Sequence, residues 1–511
     1  MSFLTLKRRH VLIGMAATAA LPNLSFAQSS GPVSGGTLKI SHSTRIATLN
    51  PLILSGPAEY PCIDMIYSRL TRIGFDSQPQ PDLAESWEAS PDATEFTFHL
   101  REGVTFHDGS PLTADDVVAT YEAILNPDVP SSATSVLDMI ESVEAVDDLT
   151  VRFSLAAPFA DFPYSTAHSN ACIISRAALG DLTALETQAN GTGPFKLETY
   201  DSARIVRMVK NEDYFVEGRP YLDAVEMMLF PDLAAETANF LSGATDVMLT
   251  VQQADYERIA ASAGIEAQRV NSGRYVCVVM RQDAEPWNDV RVRRAFSMAV
   301  DRQLMVDIIL EGLGRPAYDS IVAPELEYAT EKPEISYDPE GARALLAEAG
   351  YPDGLSLTLV ASDRPAIRSQ TAIVMQQTAA AAGFDLEIET MPHDTYLANV
   401  WMQGPFYIGY WGMQPTIDAT YNLLLTSDAA YQDSEWKNDA FDALIEAGRS
   451  TTDEAERARI YSEAQALELE DRPYIVPFFE DVLTASSTET HNWQVAPISR
   501  YFYIENVWLD G

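Results

Sequence analysis

The sequence predicts an α/β protein made of two large lobes, and three observations support this prediction. The chain has 511 residues, which is more than one hydrophobic core usually organises. Its hydrophobic content of 46% and aromatic content of 10% are typical of a folded chain and not of a disordered one. Strand-like and helix-like segments alternate along it, and the organisation changes near residues 275–290.

The first half contains two well-signalled strands with a helix between them. TEFTFHL and TVRFSL each place an apolar residue at every second position, the pattern of a half-buried strand. LTADDVVATYEAIL predicts a helix with Thr113 as its N-cap and with Asp115 and Asp116 in its first turn, where the helix dipole favours acidic side chains.

The neighbouring stretch TFHDGSPL places His107 and Asp108 close to these acids, as a metal or acid/base centre would. However, His107 precedes a turn, and Asp115 and Asp116 already have a role at the start of the helix. We therefore interpret the segment as strand, turn and capped helix, and we predict no catalytic residue there.

The second half shows the same alternation. YDPEGARALLAEAG has a proline in its first turn and stops at Gly350, and DVRVRRAFSMAVDRQLMVDIIL has helical periodicity. LSLTLVAS alternates like a strand, a helix is predicted around 366–382, and two helices and an apolar strand follow in the segment that ends in DRPYIVPFFE.

The charge of the chain narrows the choice of partners. Against 34 Lys and Arg stand 74 Asp and Glu, which gives a net charge of −40. Such a chain repels phosphate backbones and anionic lipid headgroups, so nucleic-acid binding is not expected.

The N-terminus predicts export. LKRRHVLIGMAATAALPNLSFAQSS has a basic start, a mildly apolar run and a small-residue site ending at Ala27, the plan of a cleaved secretory signal over residues 1–27. The adjacent Arg8 and Arg9 favour the twin-arginine route. The residue directly after Ala27 is Gln28 and not a cysteine, and no other stretch is apolar enough to span a bilayer. We therefore expect a periplasmic, soluble monomer without a lipid anchor.

The three cysteines, Cys62, Cys172 and Cys277, are widely spaced and have largely apolar neighbours. Buried thiols are the favoured interpretation, although one disulfide remains possible.

Several blocks of sequence resemble one family, in order along nearly the whole mature chain. PDLAESWEASPDATEFTFHLREGVTFHDGSPLTADDVVATYEAI resembles the signature region of family 5 extracytoplasmic solute-binding proteins of ABC importers, which bind dipeptides, oligopeptides, glutathione or nickel chelates. The later blocks are GTGPFKLETYD, VRMVKNEDYF, WNDVRVRRAFSMAVDRQLMVDIILEGLGRPA, YDPEGARALLAEAGYPDGLSLTL and DRPYIVPFFED.

The resemblance implies a periplasmic-binding-protein-like fold, with two lobes that close by a hinge over a ligand cleft and an extra subdomain inserted in the first lobe. Lobe I would comprise residues 36–280 and 486–511, with the insert at about 50–185, and lobe II would comprise residues 281–485. The implied partners are a small-molecule ligand and the permease and ATPase complex of an ABC importer.

The family's cleft wall in lobe II corresponds to FYIGYWGMQPTIDATYN. Peptide-binding members carry an aromatic–x–Gly–Asp segment there, whose Asp pairs with the peptide ammonium group. Tyr410 and Gly412 match the pattern, but Met413 stands in place of the Asp, and a thioether cannot neutralise a desolvated ammonium. Asp418, five residues on, could contact ligand or could cap the following helix at Ala419.

The same stretch is dense in aromatic residues and glycines, which favours a flat pocket wall over a core strand. We expect Tyr407, Tyr410, Trp411 and Met413 to form this wall, with Trp411 as the foremost ligand contact.

Two further segments complete the expected site. SDRPAIRSQTAIVMQQ places Arg364 at or within one residue of the position where dipeptide binders hold a carboxylate, although an exposed surface arginine is the alternative. On lobe I, LILSGPAEYPCIDMIY resembles the loop that faces the ligand, which makes Ser55, Gly56 and Tyr60 expected contacts.

The leading function is therefore a receptor for a peptide-like, opine-like or modified amino-acid solute. An oligosaccharide or a nickel chelate is the alternative ligand, the latter with His393 or His491 near the cleft, although each histidine is isolated. A hydrolase is disfavoured because neither G-x-S-x-G nor H-E-x-x-H occurs. No catalytic residue, cofactor or bound metal is predicted.

Overall fold

The structure is a computed structural model, and it describes residues 31–498 and 500–510. The predicted export signal, residues 1–27, lies outside the described residues. No helix in the described part of the chain is long and apolar enough to cross a membrane.

The first half of the chain is rich in strands. Its elements are β1 (Thr37–His42), α1 (Glu59–Ile66), β2 (Thr71–Ile73), β3 (Pro79–Pro81), β4 (Ala84–Ala89), β5 (Glu95–Leu100), α2 (Ala114–Leu125), α3 (Thr134–Leu137), β6 (Ile140–Asp147), β7 (Thr150–Leu155), α4 (Phe162–Ser165), β8 (Phe195–Asp201), β9 (Ile205–Lys210), β10 (Ala224–Leu229), α5 (Leu233–Leu241), β11 (Val247–Met248), α6 (Gln253–Ala260) and β12 (Ile265–Met280).

The second half carries most of the long helices. Its elements are α7 (Val290–Met298), α8 (Arg302–Ile309), β13 (Gly314–Pro316), α9 (Pro339–Glu348), β14 (Leu355–Ser362), α10 (Ile367–Ala380), β15 (Phe384–Met391), α11 (His393–Asn399), β16 (Phe406–Trp411), α12 (Ile417–Leu424), α13 (Asp439–Arg449), α14 (Glu454–Asp471), β17 (Tyr474–Ile475), β18 (Phe478–Ser487), β19 (Thr490–His491) and β20 (Trp508–Leu509).

Among the described residues, one twelve-stranded sheet extends through both lobes. Ten of its strands follow the order β15-β14-β16-β12-β18-β11-β1-β10-β9-β8, and the other two, β13 and β17, pair with β18 and β12. We call the elements from β1 to β11, with the C-terminal residues beyond β18, lobe I, and the elements from α7 to α14 lobe II. β12 and β18 join the two lobes. β12 pairs with β18 from Ile265 to Tyr275 and with β16 of lobe II from Tyr275 to Met280. We call β12 and β18 the hinge strands; the exact limits of the lobes stay a prediction.

A separate four-stranded sheet, β4-β5-β7-β6, lies within the predicted insert of lobe I. The expected cap of α2 is confirmed, because the Thr113 N–H donates to the Asp116 carboxylate at 3.0 Å. His107 contacts the Gly193 carbonyl oxygen at 3.0 Å, and Asp115 pairs with Arg176 at 3.0 Å. The interpretation of this segment as strand, turn and capped helix is therefore confirmed.

The lobes are in contact across the cleft. One hydrophobic cluster unites lobe II side chains such as Tyr421 and Phe441 with Tyr164 of the insert and with Ile498 and Tyr501 of the C-terminal segment. Burial of this apolar surface stabilises the arrangement. The two lobes are therefore in direct contact along this side of the cleft.

All three cysteines are free and buried, as their apolar neighbours indicated. Burial raises the pKa of the Cys172 thiol to about 12, so that thiol is not an activated nucleophile.

Candidate ligand cleft

Two cavities open between the lobes. The larger, of about 640 Å³, lies against the hinge strands, and we call it the hinge chamber; lobe I contributes Glu236 and Phe502 to it, the hinge strands Arg274 and Glu480, and lobe II Tyr410. The smaller, of about 390 Å³, lies between the insert and α12, and we call it the rim chamber. Residues of both lobes line each chamber, so lobe motion changes both of them together.

The hinge chamber holds an incompletely paired charge. Arg274 and Glu480 face each other in register on the hinge strands, and the Arg274 Nε lies 3.6 Å from a Glu480 carboxylate oxygen, beyond hydrogen-bonding distance. Glu480 is only 6% exposed, and its Oε1 and the Arg274 Nε have no hydrogen-bond partner among the described residues.

The other ionisable groups of this chamber differ in their pairing. Asp481 is compensated by Arg269, whose Nη2 lies 2.7 Å from it. Glu236 is buried, and its Oε1 accepts from the Ser41 hydroxyl at 3.4 Å. Burial lowers the pKa of His42 to about 4, so the imidazole is neutral at neutral pH and offers no cation.

Burial also acts on the two glutamates. It raises the pKa of Glu480, an effect that the nearby Arg274 charge and the Tyr410 hydroxyl partly offset. It raises the pKa of Glu236 as well, against hydrogen bonds from Ser43 and Ser41. Both carboxylates are therefore poorly solvated in their charged forms.

The rim chamber contains paired charges. Arg449 Nε lies 3.0 and 3.1 Å from the two oxygens of Asp418. Asp161 of the insert forms a buried ion pair with Arg457 of α14. The backbone N–H of Ala160 also donates to the Arg449 carbonyl oxygen at 2.8 Å, so this side of the cleft is fastened from lobe to lobe.

An aromatic cluster of lobe II extends to the rim chamber. Trp401 stacks on Tyr431 with ring centroids 5.5 Å apart, and Trp411 meets Tyr431 edge-on at 5.3 Å. Tyr431 lines the rim chamber, and the three rings are half-buried. The cluster provides apolar faces for planar or ring-bearing groups.

β16 and the turn after it separate the predicted wall residues. Tyr410 lines the hinge chamber, whereas Trp411, on the opposite face of the strand, belongs to the aromatic cluster. Gly412 is exposed, and a Cβ there would meet no atom within 4 Å. Successive side chains of a strand point to opposite faces. Tyr410 and Trp411 therefore belong to two different surfaces and not to the single flat wall that the sequence predicted.

Tyr407 and Met413 correct the sequence prediction, because both lie in the core of lobe II. Tyr407 is 0% exposed, its hydroxyl donates to Asp433 at 2.7 Å, and it accepts from the Met402 N–H at 3.0 Å. Met413 is 5% exposed and packs on Gly273, where a Cβ would come within 2.9 Å of the Met413 Cγ.

Asp418 does not cap α12. The N-cap is Thr416, whose hydroxyl accepts from the Ala419 N–H at 3.0 Å. Asp418 lines the rim chamber but is engaged by Arg449. Burial raises the pKa of Asp418 to about 7 in spite of that partner.

The two arginines of the α10 region occupy different environments. The Arg364 side chain is 69% exposed, 3.9 Å from Asp363, and it precedes Pro365, which lines the hinge chamber. Arg368 is buried beneath the Tyr396 and Tyr410 rings, 5.2 and 5.7 Å from their centroids. The Arg364 guanidinium is thus exposed at the edge of the hinge chamber, and its contact with a ligand carboxylate stays a prediction.

On lobe I, the Ser55 and Gly56 N–H groups donate to the Glu59 carboxylate at 2.9 and 2.7 Å. Glu59 rather than a ligand therefore takes these donors, while Pro57 lines the hinge chamber. Tyr60 is half-buried near Arg500.

Sequence reasoning missed the residues that give the hinge chamber its charge, Arg274, Glu236 and Glu480. A signal existed for Glu480, since an acid that ends the apolar run PYIVPFF is unusual in a buried strand. It likewise missed Trp401 and Tyr431, which are distant in sequence from Trp411.

The histidines considered for a metal chelate have other contacts. His393 Nδ1 lies 2.9 Å from the Ser362 hydroxyl, and His491 Nε2 lies 2.8 Å from Asp510. Within residues 31–498 and 500–510, no group of three His, Cys, Asp or Glu side chains could hold a metal ion.

The comparisons with known proteins agree with this architecture. Residues 78–433 match the model of the family described as bacterial extracellular solute-binding proteins, family 5 Middle, and the chain belongs to this family. It is 27% identical to the glutathione-binding protein GsiB of Salmonella paratyphi A, over 90% of this chain and 92% of that protein. It is 26% identical to the oligopeptide-binding protein AppA of Bacillus subtilis, over 95% and 94%.

A solved structure shares the fold. The binding protein AgaA of A. tumefaciens R10, in complex with agropinic acid, superposes with a TM-score of 0.76 and 27% identity, covering 93% of this chain and 99% of that one. The chain is thus a substrate-binding receptor that captures a small organic solute and delivers it to an ABC importer.

Proposed function

We propose that the ligand is a peptide-like, opine-like or modified amino-acid compound that lies in the hinge and rim chambers and is released on opening of the hinge. The observation that carries this proposal is that both lobes line both chambers. GsiB is named for glutathione and AppA for oligopeptides, and AgaA was solved with agropinic acid. All three names fit a polar solute of peptide or amino-acid chemistry.

The proposed contacts combine the two chambers. Tyr410 would face the ligand in the hinge chamber, and Trp411 would offer an apolar face beside the rim chamber. Arg364, exposed next to the chamber wall, would reach a ligand carboxylate, with Asp418 and Tyr60 at the edges. Tyr407 and Met413 are not included, because both are buried away from the cleft.

We further propose that the mature protein is an exported periplasmic monomer that returns its ligand unchanged, and not an enzyme. The buried thiols support this, as does the family assignment. The test is to incubate the protein with a ligand, denature it and identify the released compound by mass spectrometry. A receptor would release the intact ligand, whereas a hydrolase would release a product.

Thermal unfolding of the refolded, ligand-free protein tests the ligand class. The panel holds dipeptides, glutathione, opines, oligosaccharides, and Ni²⁺ with and without chelators. A ligand present at 100 times its Kd stabilises the fold by about 2.7 kcal/mol, a clear rise in Tm. A response to oligosaccharides or nickel chelates alone would replace the proposed class by one of those.

A further inference from the structure

The hinge chamber contains more negative than positive charge. Three carboxylates line it, those of Glu236, Glu480 and Asp481, against the single guanidinium of Arg274. Arg269, from outside the lining, compensates Asp481 at 2.7 Å. That leaves two buried carboxylates and one arginine.

The remaining arginine, Arg274, does not hydrogen-bond through its Nε to the neighbouring Glu480 carboxylate. Arg274 Nε stands 3.6 Å from Glu480, and both this nitrogen and Glu480 Oε1 lack a hydrogen-bond partner among the described residues. Glu480 is more than nine-tenths buried and lines the chamber. A buried carboxylate in this condition is stabilised by any cationic donor that enters the cavity.

The surroundings favour an organic cation over a neutral group. Glu236, also buried in the chamber wall, has no basic side chain within 4 Å among the described residues. The Tyr410 ring forms part of the wall, and an aromatic face attracts cations. Met413, which stands where peptide-binding relatives were expected to carry an ammonium-binding acid, is buried against Gly273, the residue before Arg274.

We infer that the hinge chamber is a subsite for a cationic group of the ligand, a primary ammonium or a guanidinium, held by Glu480 with Glu236 as the second carboxylate. This inference rests on the proposed function. It narrows the ligand class to compounds that carry both an acidic group and a cationic group, the latter being buried in the hinge chamber on binding. The acid that binds the cation has moved from the lobe II turn to a hinge strand, where lobe closure buries the ion pair.

Matched pairs of probes test the inference by calorimetry. The pairs are Met-Leu and N-acetyl-Met-Leu, glutathione and N-acetylglutathione, and N-(1-carboxyethyl)arginine and N-(1-carboxyethyl)norvaline. In each pair the carboxylates are kept. The first two pairs lose the primary ammonium, and the third loses the guanidinium but keeps its secondary ammonium. In at least one pair, the member that carries the primary ammonium or guanidinium should bind about tenfold or more tightly than the member that lacks it.

Two variants locate the effect. Glu480→Gln keeps the shape of the side chain and should abolish the preference for the cation while changing the affinity of the neutral partner by less than about twofold. Glu489→Gln, an exposed residue beyond β18, removes the same charge and should retain the preference. Glu236→Gln should reduce it by a smaller factor, and it provides the test if Glu480→Gln fails to fold.

The outcomes separate the two claims. Equal binding within every pair, or an unchanged preference in both glutamate variants, overturns the cation subsite and leaves the receptor function standing. If neither member of any pair binds, the proposed ligand class fails and the subsite falls with it.

Discussion

The rim chamber and the hinge chamber both contain buried carboxylates, but these carboxylates differ in how closely they are paired with arginines. In the rim chamber, Asp418 and Asp161 each have an arginine partner, Arg449 and Arg457. In the hinge chamber, Glu480 has only a distant partner. Paired charges at the rim link the insert to lobe II, whereas the Glu480 carboxylate at the hinge lies 3.6 Å from Arg274. Under the proposed function, closure depends on the rim side of the cleft and ligand recognition on the hinge side.

The largest effect is expected from Arg457→Met. This change leaves Asp161 buried without its partner, so the free energy of unfolding should fall by about 3 kcal/mol, and the lobes should separate. Chemical denaturation and small-angle scattering measure the two effects. Arg459→Met, two residues away, removes an exposed arginine paired with Glu456 and Glu463, and it should cost far less stability than Arg457→Met because solvent screens exposed ion pairs. Equal losses would show that the rim pair does not hold the lobes.

The pH dependence of stability tests the rim chamber next. Burial raises the pKa of Asp418 to about 7, above its value in the unfolded chain. This group's contribution is therefore complete below about pH 4 and is lost as the pH rises through about 7. The difference in unfolding free energy between wild type and Asp418→Asn should follow this course. A difference that grows with pH would mean that Arg449 keeps Asp418 ionised throughout.

Removing one tyrosine hydroxyl at a time distinguishes two residues of β16, Tyr407 in the core and Tyr410 in the wall of the hinge chamber. Tyr407→Phe leaves Asp433 with fewer donors and should lower the free energy of unfolding by about 1–2 kcal/mol, with ligand affinity unchanged. Tyr410→Phe should change the affinity for cationic probes while altering stability by less than about 1 kcal/mol. Urea denaturation measures the stability of each variant and calorimetry its affinity. A larger stability loss for Tyr410→Phe, with altered affinity only for Tyr407→Phe, would contradict these two roles.

The smallest effect on stability is expected from Arg364→Ala. Its side chain is 69% exposed, so the free energy of unfolding should stay within about 0.5 kcal/mol of wild type. Affinity for acidic probes should nevertheless fall if Arg364 reaches their carboxylate, whereas esterified probes should be unaffected. An equal loss for acid and ester would exclude the carboxylate contact.

Much of the fold was accessible from the sequence because its signals are local. The predicted helix around 366–382 is Ile367–Ala380, and the strand predicted in LSLTLVAS is Leu355–Ser362. The helix in YDPEGARALLAEAG begins after Asp338, whose side chain accepts from the Gly341 N–H at 2.8 Å. Caps and periodicity depend on neighbours within about four residues, so the sequence carries them directly.

The site was predicted less completely. Aromatic density around Trp411 correctly indicated an unusual segment, but the sequence did not tell which rings face inward. Tyr407 lies in the core because Asp433, in a different segment, binds its hydroxyl. Trp401 and Tyr431 complete the Trp411 cluster from two other loops.

The sequence by itself determined the family, the alternation of strands and helices and the capped helix starts, since ordered motifs and short-range interactions specify them. Only the tertiary structure decided the charges of the cleft. Asp161 meets Arg457 across 296 positions of the chain, and Arg274 faces Glu480 through the register of two hinge strands. Such contacts depend on strand register and on how the lobes pack, and neither is encoded in a local pattern.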